Sequence, residues 1–471
     1  MRLNSKQIEG QIRMIVLVCM LAGSVADLCG QVTGGYWGTQ YGSRGLLLNG
    51  AVIASCDDEA AIFYNPAGLG LTDDFGVAVS LITPTFNYVR TNDLIGDGNS
   101  FVDRGLGLAP GLVAAKFQPF KTKKINAGFT IFKRFSSEVN YDGRVVSEVE
   151  GEESLLFVGD LEYSKDVSET WVGFGFSFEL HERLSVGFTE FITWRGEEVD
   201  LNFQKEFVSK DNPDDIVLGW RSRFQYGYGA NGGVLTKVGL SWRPYNLKVG
   251  LTYTSRTYGL ALRSADYKYN DIKIRPVGGS ELSSNDRSTE LRQYRTPASV
   301  GFGLEFMLGK SRVSFSTEYF EKISPYTIID EEDDPFDGLA TVDETTRTTV
   351  SQGNNAVLNV AFGLERILGP KYSWFLGGRT DFSPEALLDV DQNISFLATD
   401  PDIFHVSLGG AYTFRNSKFS AGVDYGIGAK TGGQQLIDLG NVTAENVFTF
   451  DGKNNVETFS HSFALFVTYD L

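Results

Sequence analysis

Residues 402–430, DIFHVSLGGAYTFRNSKFSAGVDYGIGAK, contain two alternating runs and the short connection between them. In the first run Phe404, Val406, Leu408, Tyr412 and Phe414 share one parity, and His405, Ser407, Gly409 and Thr413 share the other. In the second, Phe419, Ala421, Val423, Tyr425 and Ile427 oppose Ser420, Gly422, Asp424, Gly426 and Gly428. Successive side chains of a strand point to opposite faces, so each run has one apolar face and one polar or small face. The C-terminal stretch repeats the pattern, with Phe463, Leu465, Val467, Tyr469 and Leu471 against Ser462, Ala464, Thr468 and Asp470. A barrel wall facing lipid alternates in this way, and so does a water-soluble sandwich.

The connections separate the two. Moving outward from this hairpin, alternating segments of about ten residues, the length typical of a membrane strand, lie at 75–84, 112–119, 125–135, 171–180, 184–196, 219–242, 247–262, 293–307, 312–322, 357–367, 372–382, 402–414, 418–430 and 458–471. The segment at 171–180 can be extended back toward Leu155. Every second connection is tight: Phe120 to Lys124, His181 to Arg183, Arg243 to Asn246, Leu308 to Ser311, Leu368 to Lys371 and Arg415 to Ser417. The others, 85–111, 263–292, 323–356, 383–401 and 431–457, are long and polar. Short turns at one membrane face and long loops at the other are the rhythm of outer-membrane barrels, and a sandwich has no cause to keep it. The sequence therefore predicts an all-β, fourteen-stranded antiparallel transmembrane β-barrel over 73–471. About eight strands fill their own interior and 16–18 leave an open channel, so this intermediate number needs a stopper. Residues 27–72 are rich in Gly and Ala, precede the first strand, and are expected to be an N-terminal plug, or hatch, inside the lumen.

Composition agrees with export to a membrane built of strands. Arg2, Lys6 and Arg13 precede the apolar run Met14 to Leu21, and Ser24-Val25-Ala26 has the small-x-small form of a cleavage site. Residues 1–26 are thus expected to be a signal peptide. No later apolar run reaches the ~20 residues that a spanning helix requires. A net charge of −17 argues against nucleic acid as a partner. Much of the acid sits in long connections such as Asp330 to Asp334, a solvated loop. Cys29 and Cys56 are too few to build a disulfide framework. The expected location is the outer membrane of a Gram-negative bacterium.

Within the plug, residues 57–71 read DDEAAIFYNPAGLGL. Asp57 or Asp58 can cap a short helix with Glu59 in its first turn, and Asn65-Pro66 ends it, because proline disfavours the helical state in the residue before it. An apolar pocket above this turn would collect hydrophobic compounds, at about 0.8 kcal/mol for each buried CH₂. Phe63, Asn65, Pro66, Ala67, Gly68, Leu69 and Leu71 form the candidate ligand-binding and gating stretch, with Asn65-Pro66 as its hinge. Arg379, Asp381 and Glu365, together with Glu305, Glu318 and Asp424, fall on the lumen parity and are expected to pair with the plug. The three histidines are scattered, so no metal or cofactor is expected. His405-Val406-Ser407 has the His-x-Ser form found in outer-membrane phospholipases, but its His and Ser fall on the lumen parity, away from lipid. An enzyme is not expected.

These residues resemble a known family. Gly42-Ser43-Arg44-Gly45, Asn49-Gly50-Ala51 and Asp57 to Leu69 are similar to the hatch of the outer-membrane long-chain fatty acid and aromatic hydrocarbon transporters, the FadL/TodX family. Gly227 to Gly233, Trp242-Arg243-Pro244, Val249 to Ser255 and Thr296 to Gly303 look similar to its barrel. The resemblance implies a monomer, inserted in outer-membrane lipid by the barrel assembly machinery, that takes up hydrophobic small molecules passively. It also implies lateral release into the membrane through an inward kink of an early strand, here 125–135 with Gly128 as the bend. Two departures are a C-terminal Tyr469-Asp470-Leu471 in place of a terminal aromatic residue, and acidic outer loops with no evident basic partner for a fatty-acid carboxylate. The alternative function is a barrel that serves as docking or assembly partner for a protein secretion system, for which loop 323–356 and long strands at 219–262 would be suited.

Overall fold

The computed structural model describes residues 35–470 except 57, 72–75, 81–82, 97, 110, 121–123, 150–151, 261–263, 276–278, 291–292, 330–349, 387–399, 415–416, 436 and 450–451. The signal peptide, residues 27–34 of the expected plug, Asp57 and the acidic run at 330–334 lie outside the described residues.

Two short helices, α1 (Gly42–Leu47) and α2 (Ala61–Tyr64), and a 3₁₀ turn at Pro66–Leu71 precede the first strand. Strands β1 (Gly76–Ser80), β2 (Thr83–Asn92), β3 (Ser100–Ala109) and β4 (Leu112–Phe117) follow. Next come four long strands, β5 (Ile125–Glu148), β6 (Leu155–His181), β7 (Leu184–Ser209) and β8 (Ile216–Trp242). Then come β9 (Leu247–Thr254), β10 (Tyr258–Gly259), the hairpin β11 (Ser264–Arg275) and β12 (Gly279–Glu290), β13 (Ser299–Leu308) and β14 (Ser311–Phe320). A second hairpin, β15 (Ile323–Ile329) and β16 (Val350–Asn354), leads to β17 (Val357–Ile367), β18 (Tyr372–Asp381), β19 (Asp402–Phe414), β20 (Ser417–Gly433) and β21 (Val456–Asp470).

Among the described residues nineteen strands share one antiparallel sheet, with β15 and β16 apart from it. Each of β4 to β8 pairs with the next, β9 pairs with β13, and pairing continues through β14, β17, β18, β19 and β20 to β21. The last strand then pairs with the first through Ala78↔Asp470, and the first pairs with β4 through Val77↔Ala115. Tight connections at Lys310 and Tyr245 are made by left-handed backbone, with Gly309 at φ 62° and Tyr245 at φ 49°.

In β19, β20 and β21 the apolar face is exposed and the polar or small face is largely buried. In β19, Phe404, Val406 and Leu408 are half-exposed, while His405 and Ser407 are buried. The same inversion holds in β20, where Phe419, Tyr425 and Ile427 are exposed, and in β21, with Phe463, Leu465 and Val467.

The structure differs from the expected segments in several places: those at 125–135 and 184–196 run on to Glu148 and Ser209, and the connections 85–111 and 263–292 carry the ladders β2–β3 and β11–β12. The segment expected at 247–262 is interrupted after Thr254, where Ser255 Oγ accepts the Thr236 amide at 3.0 Å and donates to the Arg256 carbonyl at 2.9 Å. A side chain that competes for ladder groups interrupts the ladder locally, and pairing with β8 resumes in β10 with Tyr258↔Val234. The segment expected from 293 starts at Ser299, after Pro297, which has no N–H to offer. The long strands are thus β5 to β8, 24, 27, 26 and 27 residues, against 10 in β13. Their far halves, extended by β11 and β12, curve around a second apolar cluster. Leu94, Ile95, Ile328, Ile437, Leu439 and Val447, contributed by the long connections, fill it against Tyr163, Phe203, Trp220 and Phe224.

Candidate functional site

Residues 35–71 pack against strands from every part of the sheet, and charge fixes much of that contact. Arg44 Nη1 donates to Glu365 Oε2 at 2.8 Å and its Nη2 bonds Glu305, all three side chains being buried. Trp37 donates its backbone N–H to Asp381 Oδ1 and its indole N–H to Glu318 Oε2, each at 2.9 Å. Arg379 Nη2 donates to Gly38 O at 2.9 Å, and Asn49 Nδ2 to Asp424 Oδ1 at 3.0 Å. Ser43 Oγ reaches Asp470 Oδ2 at 2.5 Å on the last strand. Arg379, Asp381 and Glu365, singled out from the sequence by parity, all therefore meet this segment or its Arg44. His405 Nδ1 lies 3.0 Å from Asp424 Oδ2, and Ser407 Oγ donates to Leu47 O at 3.2 Å, so the His-x-Ser pair is committed to the same contact.

The Asn65-Pro66 turn is held by one amide. Asn65 Nδ2 donates to Ile53 O at 2.9 Å and Leu240 O at 3.1 Å, while its Oδ1 accepts the Ala67 N–H at 3.1 Å. Glycines in the strands let backbone meet backbone here: a Cβ on Gly187 would lie 2.5 Å from the Pro66 carbonyl carbon, and one on Gly250 2.2 Å from Ile53 O. Asp58 Oδ1 accepts the Ala60 N–H at 3.0 Å, but the N-cap of α2 is Ala60, without a side-chain cap.

A cavity of about 260 Å³ lies between this segment and the inner face of the sheet. Phe63 lines it. Asn65, Pro66, Ala67, Gly68 and Leu69 are not among its lining residues and are instead buried against the strands. The Leu71 side chain lies outside the described residues. The wall is aromatic and charged rather than purely apolar, with Tyr36, Phe63, Trp171, Tyr294 and Phe320 beside Arg134, Lys165, Arg195 and Lys237. Phe63 stands 5.2 Å from the Tyr41 ring and 6.5 Å from that of Trp171. Arg134 lies 5.7 Å and Lys237 5.2 Å from its centroid.

Strand β5 reaches this cavity through an irregularity. Gly128 keeps regular register, opposite Lys116 and Gly175, and makes room for Ile62. The break lies between Lys133, opposite Thr170, and Phe135, opposite Glu169, with Arg134 as the extra residue. Phe132 is buried on the inner face before it, and Phe135, Ser137, Val139 and Tyr141 line the cavity after it. Beside the bulge the β4–β5 ladder ends at Leu112↔Phe132, and among the described residues β3 forms no ladder with the rest of β5. The four cations were not legible as a group, because they belong to β5, β6, β7 and β8 and meet only through register.

Where the β18–β19 connection borders the cavity, Glu385 Oε2 lies 3.0 Å from Lys430 Nζ and accepts the Asp400 N–H at 3.1 Å. Burial, and then the charge of Asp400, push the Glu385 carboxyl up to about 8, and burial raises that of Asp400 too. No metal-ligand cluster occurs among the described residues.

No protein-family model and no curated protein matches the sequence. Solved structures do. The Pseudomonas putida toluene transporter TodX aligns over 92% of this chain and 98% of its own, at 14% identity and a TM-score of 0.58. A Pseudomonas aeruginosa FadL homologue covers 93% and 99%, at 12% identity and 0.54. The Ralstonia pickettii toluene transporter TbuX covers 92% and 98%, at 11% identity and 0.51. With nearly the whole of each chain aligned, this protein has the FadL-like fold shared by these transporter structures.

Proposed function

We propose that the chain is an outer-membrane channel for passive uptake of small hydrophobic compounds in a Gram-negative bacterium. In this proposal the ladder running from the first strand round to the last is a closed, fourteen-stranded transmembrane barrel, and residues 27–72 are its hatch. The observation that carries it is the aromatic-lined cavity, one wall of which is the N-terminal segment itself. An outer surface of Phe302, Phe362, Phe404, Leu408, Ile427 and Leu465 supports insertion in lipid, since apolar patches of that extent mark a membrane or a partner. Exposed Tyr245, Tyr372 and Phe414 at the tight-turn end suit an interfacial aromatic girdle.

Compounds enter the cavity from the side of the long connections, gain free energy by burial, and leave when the segment around Phe63 and Asn65-Pro66 shifts. The exit is the unladdered edge of β5 beside Arg134, where release into lipid keeps the compound buried and needs no energy source. The toluene transporter and FadL-homologue structures of the same fold favour this reading. The test is entry of toluene, and separately of a long-chain fatty acid, into lipid vesicles carrying the purified protein. Faster entry than into empty vesicles is expected, slowed when the hatch is cross-linked as Ser43→Cys with Asp470→Cys. Equal rates with and without protein would overturn the proposal.

A further inference from the structure

Among the cations of the cavity wall, three have a carboxylate close by. Arg195 lies 3.4 Å from Glu169 and 3.3 Å from Glu197, Lys165 lies 3.7 Å from Glu197, and Lys237 lies 4.0 Å from Glu318. Glu318 is further occupied by the Trp37 indole N–H and by Ser299 Oγ at 2.7 Å. Arg134 differs: among the described residues it has no carboxylate within 4.0 Å, and it bonds the Tyr36 carbonyl and the Tyr41 hydroxyl, both uncharged. A guanidinium carries five donors in a planar fork suited to a carboxylate, and two uncharged oxygens leave the others for another acceptor.

The bulge explains why Arg134 is there. An extra residue in one strand re-aims a side chain, and here both Arg134 and Phe135 line the cavity although they are consecutive. The guanidinium stands beside two rings, 5.7 Å from the Phe63 centroid and 5.8 Å from that of Trp171, with Lys237 across Phe63. The cavity, about 260 Å³, is smaller than the roughly 300–1,000 Å³ typical of sites for drug-sized ligands. That volume accommodates a compound of one ring and a headgroup.

We propose that this cavity selects a small aromatic carboxylate, its ring against Phe63 and Trp171 and its carboxylate on Arg134. The proposal rests on the channel reading above and names the compound class.

The test uses the full-length protein in lipid nanodiscs, titrated calorimetrically with benzoate, toluene and octanoate. Benzoate is expected to bind at least tenfold more tightly than either of the others. Arg134→Gln is expected to remove that preference, weakening benzoate at least tenfold while toluene affinity stays within twofold, and Arg134→Lys to restore part of it. Toluene or octanoate binding as tightly as benzoate to the unaltered protein overturns the proposal without using a variant. So does unchanged benzoate affinity in Arg134→Gln. If toluene enters vesicles but benzoate has no advantage, only the ligand class falls; if none of the three binds, the channel reading falls with it.

Discussion

Replacing Arg44 by Met should loosen the N-terminal segment by an amount its surroundings allow to be worked out. The guanidinium sits between Glu305 and Glu365, with side-chain exposures of 5%, 3% and 7%. Breaking a buried ion pair costs about 3–5 kcal/mol, because a buried charge is left without its partner. Neither carboxylate would be left alone: Lys248 Nζ stays 2.7 Å from Glu305, Ser314 Oγ 3.2 Å from it, and Arg312 Nη1 3.3 Å from Glu365. The lower end, about 3 kcal/mol, is therefore expected, which at 1.4 kcal/mol per decade raises the opened population on the order of 10²-fold. Cys56 reports it, being 2% exposed in the same segment, next to Ser55, which Arg44 Nε approaches at 3.5 Å. With Cys19→Ala and Cys29→Ser in the background, the rate of maleimide labelling of Cys56 in folded protein measures opening. Adding Glu305→Gln and Glu365→Gln to Arg44→Met should recover part of the protection, since the buried carboxylate charges then go as well, while Lys248 and Arg312, 21% and 27% exposed, keep contact with water. A labelling rate within threefold of the parent for Arg44→Met would refute the reasoning, as would a triple variant no better protected than the single one.

Asn65→Ala removes three hydrogen bonds and strands the Ala67 N–H and two carbonyls; a loss of at least about 2 kcal/mol should appear as faster Cys56 labelling. Gly187→Ala places a methyl against the Pro66 backbone and should expose the segment to protease, whereas Gly105→Ala, with nothing within 4 Å, should not. Glu385 binds its proton more tightly folded than unfolded, its carboxyl being raised from 4.5 to about 8. Its contribution is present below about 4.5 and declines as pH rises through about 8. Amide exchange at Asp400, corrected for its intrinsic pH dependence, should therefore speed up between about pH 4.5 and 8, and Glu385→Gln should flatten that change.

The alternation of Phe404 to Phe414 and the tight connections located most of the ladder from sequence alone, because side-chain period and turn chemistry are local properties, but β3, β11, β12, β15 and β16 fall in stretches that read as long polar connections. The same parity put Arg379, Asp381 and Glu365 on the face that meets the N-terminal segment, and Asn65-Pro66 marked a turn before any fold was known. Phe63 could be linked to a cavity only through its nearness to that turn. The cavity's cations could not be found this way. Lys-Arg-Phe at 133–135 has no feature of its own that signals a bulge, and the phase change that turns Arg134 inward exists only in register with Thr170 and Glu169. Nor does local sequence say where β5 to β8 end, since their far halves are held by Leu94, Ile437 and Leu439 from connections distant in the chain. Period is written residue by residue, whereas which charges share a cavity is settled by strand pairing across more than a hundred residues.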